Sequence, residues 1–137
     1  MAKNLVKGIK TDTMKIRIKQ NSIRFRLTRS EVEQVCKQGH YEEETDFNSG
    51  QFRYSVCTKE GIENLEAYFI ENRITLYLPD TYATQWLDSE QVGFEHNMPL
   101  ENGKELLLLL EKDFVCMDDN REDQSDNYPN PMAEKLR

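Results

Sequence analysis

Five cations recur at every second position of two short runs, Lys15, Arg17 and Lys19, then Arg24 and Arg26, with Ile16, Ile18, Ile23, Phe25 and Leu27 between them. On an extended chain this period places all five on one face and the apolar residues on the other. Guanidinium forks and ammonium groups converging on one surface can hold phosphate or carboxylate, so Lys15, Arg17, Lys19, Arg24 and Arg26, joined by Arg53, form the candidate anion-binding set. Paired in a hairpin, Arg17 faces Arg24 and Lys15 faces Arg26. Like charges directly opposite destabilise a strand pair, so the ladder predicts a negative neighbour. The plainer alternative is a solvated outer face neutralised by Glu42, Glu44 and Glu66, with each exposed pair contributing about 0–1 kcal/mol.

A second arrangement follows if the apolar strand faces pack outward against helices. The charged faces then line a concave sheet or barrel in which Arg53, Arg73, Tyr68 and Tyr77 join the ladder, together with Glu42, Glu44, Glu66 and Glu95. That layout has the outline of tunnel enzymes that hydrolyse triphosphates with Mg²⁺, although their E-x-E-x-K strand is absent. It defines the enzymatic alternative, with arginines holding phosphate and glutamates the metal. A shared layout does not carry function across folds.

Other constellations are weaker. Asp118, Asn120 and Glu122 begin like a calcium loop, but Asp123 stands where the turn needs Gly and Pro129 where a bidentate Glu is required. Cys36 and His40 have C-x₃-H spacing without a second ligand pair, so no metal site is expected. Cys57 with His96 suits nucleophilic catalysis only if the fold joins them, and no local motif supports that. No glycine-rich phosphate loop is present. Outside the triphosphate alternative with its Mg²⁺, no cofactor is implied.

The whole chain constrains these choices. It has 137 residues and a formal net charge of −7, yet nine of the first 30 residues are Lys or Arg against the single acid Asp12. An acidic whole disfavours nucleic acid, whose affinity comes from neutralising phosphates, and leaves an anionic small molecule or an acidic protein surface as the expected partner. No apolar run approaches the roughly 20 residues that cross a bilayer, and the N-terminus lacks a secretory signal pattern, so a cytoplasmic protein without a membrane partner is expected. Cys36, Cys57 and Cys116 are an odd set at unrelated spacings, which favours reduced thiols.

The elements that must position the ladder are legible. The alternating runs form a hairpin about Gln20-Asn21. Thr28 and Glu31 then make a capping box, Leu27 and Val32 a hydrophobic staple, and Gly39 a stop, which define a helix with the apolar stripe Val32, Val35, Cys36. Strands follow over His40 to Thr45 and Phe52 to Thr58 around a loop of Asp46 to Gly50. A second hairpin turns at Glu71-Asn72-Arg73. Pro79-Asp80 open a short helix with Tyr82, Ala83, Trp86 and Leu87 on one face. A last hairpin joins Val92 to Met98 with Leu106 to Leu110 through Asn102-Gly103, the leucines reading as a central strand buried on both faces. The order hairpin, helix, hairpin occurs twice, the helix faces matching at an offset of 51, which is a repeat of pattern with little identity.

KIRIKQNSIRFRLTRSEVE, LPDTYATQWLDSEQVGFE, LLEKDFVC and DNYPNP resemble the successive blocks of a family of small uncharacterised bacterial proteins of Bacteroidetes type. The resemblance runs from residue 14 to about 131 and implies no activity, ligand or catalytic residue. The expectation is therefore an α+β fold of about eight mostly antiparallel strands and two short helices, pseudo-duplicated and either open or barrel-like. Residues 1–13 form an N-terminal extension, 14–117 a single domain and 118–137 an acidic tail or strap. The expected role is non-enzymatic binding through the basic hairpin, with the tail competing for the same surface. A structural subunit of a homo-oligomer, in an oligomeric state that one sequence does not fix, is the third alternative.

Overall fold

The structure is a computed structural model and describes residues 13–114. The element order is β1 (Lys15–Lys19), β2 (Ser22–Leu27), α1 (Arg29–Gln38), β3 (His40–Phe47), β4 (Gly50–Lys59), β5 (Glu66–Ile70), β6 (Arg73–Pro79), α2 (Asp80–Trp86), β7 (Gly93–Pro99) and β8 (Glu105–Lys112). This is the expected α+β composition of eight strands and two helices. The strands do not close into a barrel. They divide into two four-stranded sheets, ordered β1-β2-β8-β7 and β3-β4-β6-β5.

Each sheet consists of two antiparallel hairpins joined by one parallel pair, β2 with β8 and β4 with β6. The repeated sequence pattern is thus a repeated structure. Shifting β1, β2 and the start of α1 by 51 positions gives β5, β6 and the start of α2. Exchanging the two halves turns one sheet order into the other. Each half places its first hairpin in one sheet and its second in the other, so neither half owns a sheet.

Local chemistry fixes the turns. The β1–β2 turn puts its left-handed residue at Gln20 (φ 50°), whereas the β5–β6 turn is the two residues Glu71 (φ 52°) and Asn72 (φ 64°). Arg73, expected in that second turn, already belongs to β6. Likewise β3 runs on to Phe47 and β4 begins at Gly50, which shortens the expected five-residue loop to Asn48-Ser49. Gly50 supplies a φ of 151° there, and Gly103 a φ of 87° in the β7–β8 turn.

The apolar faces of the sheets meet each other. Phe25, Leu108 and Leu110 of one sheet and Val56, Leu76 and Leu78 of the other are fully buried in a single core. The edges β5 and β7 are tied where the Ala67 N–H donates to Met98 Sδ at 3.4 Å. The helices therefore cover neither sheet's charged face; they close the core at the end reached by β2 and β6. Trp86 of α2 is buried there, with its ring centroid 5.3 Å from that of Phe94 and its indole N–H donating to the Gln91 carbonyl at 3.1 Å. In α1 the capping box forms around a buried carboxylate: Glu31 Oε1 accepts from the Thr28 N–H at 2.8 Å, and Oε2 accepts from the Met14 N–H at 2.9 Å. The Leu27–Val32 staple is buried as expected.

Among the described residues no helix is long and apolar enough to cross a membrane. The calcium-like acids, the competing tail and residues 1–12 lie outside the described residues.

Candidate anion-binding face

The strand register arranges the ladder in rows. Across the first sheet, Lys15 pairs with Arg26, which pairs with Glu111 opposite Gly93. The next row is Arg17, Arg24, Leu109 and Glu95, and the third is Lys19, Ser22, Leu107 and Asn97. Alternation puts all three rows on the side turned away from the core, because Ile16, Phe25, Leu110 and Phe94 occupy the intervening row. Lys15, Arg17, Lys19, Arg24 and Arg26 therefore share one outward face, and the first two strands form a basic strip beside the acids of β7 and β8.

The negative neighbour demanded by the paired cations comes from β8 and the residue after it. Glu111 Oε1 lies 3.6 Å from Arg24 Nε and 3.5 Å from Arg26 Nε, so two guanidiniums share one carboxylate. Asp113 Oδ2 is 3.1 Å from Lys15 Nζ. The expected neutralisers serve the other sheet: Glu42 holds Arg73 Nε at 3.0 Å, Glu44 lies 3.4 Å from Arg53 Nε, and Glu66 lies 3.6 Å from Lys59 Nζ. Arg24 Nε is shielded from water and has no hydrogen-bond acceptor among the described residues, since 3.6 Å to Glu111 is an ion pair beyond hydrogen-bond range.

Arg53 does not join the ladder. It sits on the outward face of the second sheet, in the row Glu44, Arg53, Arg73, Ile70, and its terminal nitrogen donates to Gln51 at 2.8 Å. Tyr68 and Tyr77, expected beside the ladder, lie on that same second face, where Lys59 Nζ stands 4.9 Å from the Tyr77 ring centroid. The concave arrangement is thus corrected. Apolar faces point inward and charged faces outward, on two separate surfaces, because burying the alternating isoleucines, leucines and valines between the sheets is the larger gain at about 25 cal/mol per Å².

The two described thiols, Cys36 and Cys57, are free and half-buried. Cys57 and His96 belong to different sheets, Cys57 facing outward and half-buried His96 facing the core in the row of Leu108, so they do not meet. The cross-strand partner of Cys57 is His40, a pairing hidden until the β3–β4 turn is read as two residues. Burial pushes the Cys57 and Cys36 thiols above the ordinary cysteine range, the opposite of an activated thiolate. Cys36 packs against the core as its helical stripe implied. Burial, then the hydrogen bond from its hydroxyl to Glu43 at 2.5 Å, hold the Tyr41 phenol protonated far above the usual tyrosine value. Among the described residues no group of three or more His, Cys, Asp or Glu is placed to hold a metal ion.

One feature left no mark in the sequence. At the turn end, away from the helices, the core opens in an apolar mouth of 360 Å³ between the sheets, walled by Ile18, Ile23, Leu106, Phe52, Phe69 and Ile74. Ile18 and Phe69 are more than half exposed there. Strand alternation turns both inward, Phe69 beside the core residue Ile74, but the sheets end before covering them.

The molecule is therefore an α+β protein of two face-to-face mixed sheets with an outward basic strip. The chain belongs to the family of unknown function DUF7009, whose model matches residues 14–132. No curated protein and no solved structure matches it.

Proposed function

We propose that this protein is a non-enzymatic binding or accessory protein whose β1–β2 strip engages an anionic partner, either an acidic protein surface or a small phosphate- or carboxylate-bearing ligand. The observation that carries the reading is the strip itself: five cations on one outward face of two adjacent strands, with Arg24 and Arg26 leaning on a single carboxylate. Such a surface attracts an acidic partner over roughly a Debye length, about 8 Å at physiological ionic strength, and its binding weakens as salt rises.

The test uses a deca-glutamate peptide and tripolyphosphate as probes, titrated into the full-length protein at low and physiological salt. The expected result is binding that weakens with salt and falls at least about tenfold in Arg24→Ala/Arg26→Ala, the equivalent of 1.4 kcal/mol. Absence of binding by the wild type at low salt, or equal binding by the variant, refutes the proposal. A phosphate-release assay with Mg²⁺ and Mn²⁺ runs alongside, and turnover there would replace binding by catalysis.

A further inference from the structure

The apolar mouth at the turn end lies astride the internal twofold of the fold. The offset of 51 that relates the halves makes Ile18 the counterpart of Phe69 and Ile23 that of Ile74. The two parallel registers, Ser22 beside Leu107 and Arg73 beside Arg53, make Leu106 the counterpart of Phe52. Three equivalent pairs thus wall the 360 Å³ space, and among the described residues none of its lining side chains is charged. Ile18 belongs to edge strand β1 and Phe69 to edge strand β5. Because β5 lies against β7, β1 and β5 stand on opposite sides of the sandwich, and the slot from Ile18 to Phe69 crosses about three strand spacings, roughly 14 Å.

The rim breaks this symmetry. Position 19 is an exposed lysine next to Ile18, whereas its counterpart at position 70 is an exposed isoleucine. Among the described residues Lys19 is drawn into no ion pair, while Lys15 leans on Asp113, and Arg24 and Arg26 on Glu111. We propose that the mouth binds a free fatty carboxylate, with the hydrocarbon tail lying in the slot between the sheets and the carboxylate head beside Lys19.

Chemistry and size select this ligand. A space walled by hydrocarbon stays dry and accepts C–H surface, while a polar group placed inside it would lose its water without compensation. An extended carbon chain advances about 1.2 Å per bond, so a slot of roughly 14 Å takes about twelve carbons. Volume gives a similar length: a cavity of about 150 Å³ takes the six carbons of benzene, so 360 Å³ takes about fourteen. The twofold-related walls hold either end of such a chain alike. Lys19 orients it, because an anionic head is drawn to the β1 end, where the basic strip begins. The place of the head rests on the strip reading above, whereas the place of the tail does not.

The experiment titrates the full-length protein with linear carboxylates from hexanoate to hexadecanoate, each below its micelle-forming concentration. Kd should fall about fourfold per added CH₂, the equivalent of about 0.8 kcal/mol, and level off at about twelve to fourteen carbons. Ile18→Thr/Phe69→Thr, at two positions more than half exposed, should keep the wild-type urea midpoint, weaken dodecanoate about tenfold and leave tripolyphosphate binding unchanged. Lys19→Gln should weaken dodecanoate about threefold but not decan-1-ol. Binding that ignores chain length, equal affinity in the double variant, or an equal loss of decan-1-ol in Lys19→Gln overturns the assignment. Sedimentation with phosphatidylglycerol vesicles in place of binding to free dodecanoate overturns it in favour of a lipid surface. Tripolyphosphate failing while dodecanoate binds removes the strip and leaves the mouth; the reverse removes the mouth alone.

Discussion

Gly93 is fixed by the strand beside it. A β-carbon at this position would stand 2.1 Å from the Leu110 carbonyl oxygen and 2.8 Å from the Glu111 Cα, both backbone atoms that a rotamer change cannot move. Gly93→Ala should therefore cost at least the about 1–3 kcal/mol typical of overpacking, seen as a lower midpoint in urea with an unchanged slope. Tyr41 sets an alkaline limit. Its phenol is held protonated in the fold, whereas an unfolded tyrosine ionises near pH 10, so its contribution is complete below that pH and is lost as alkali ionises the unfolded chain first. Melting temperature should fall more steeply between pH 10 and 12 in the wild type than in Tyr41→Phe, and parallel curves would refute this. Spacing made the five ladder residues of the strip readable before any coordinates. Arg53 was misplaced because alternation gives the face of a strand but not the sheet to which the strand belongs.

At the scale of elements, α1 depends on one side chain. Glu31 is 1% exposed and accepts backbone hydrogen bonds from Thr28, at the start of its own helix, and from Met14, at the entrance to β1. Glu31→Ala leaves the buried Met14 N–H without its acceptor, at about 1–3 kcal/mol, and the half-buried Thr28 N–H at less, and should lower helical content together with protection of the Met14 amide. Glu31→Gln keeps one oxygen acceptor and should fall between that variant and the wild type. The helix was legible because capping box, staple and stop glycine are local signals within a dozen residues. The second partner, Met14, was not, since that contact bridges 17 positions and requires knowing that the helix closes the end of the core. Turn lengths failed in the same way: two-residue loops at 48–49 and 71–72 are set by cross-strand register, which composition alone does not fix.

For the whole molecule, sequence pattern specified eight strands and two helices, and even their repetition, but not the division into two sheets. Hairpins are local; the parallel pairs β2–β8 and β4–β6 that assemble them are not, and nothing in alternating isoleucines names a distant partner. The exchange between halves has a measurable effect. A fragment covering β1 to β4 contains hairpins from both sheets and completes neither. Fragments 14–62 and 63–114 should each lack native far-ultraviolet dichroism and acquire it only on mixing. A half that folds alone would show that the hairpins re-pair within it.

The β2–β8 pairing also bears on how the protein is made. Ser22 lies beside Leu107, so a strand synthesised among the first must wait for one synthesised among the last described before its sheet exists. While the ribosome is still adding those residues, Phe25 and Leu27 have no finished wall to rest on, and the nascent chain carries a sticky, half-built layer. Slowing elongation ahead of residue 105 should lengthen that vulnerable interval and increase capture by holdase chaperones.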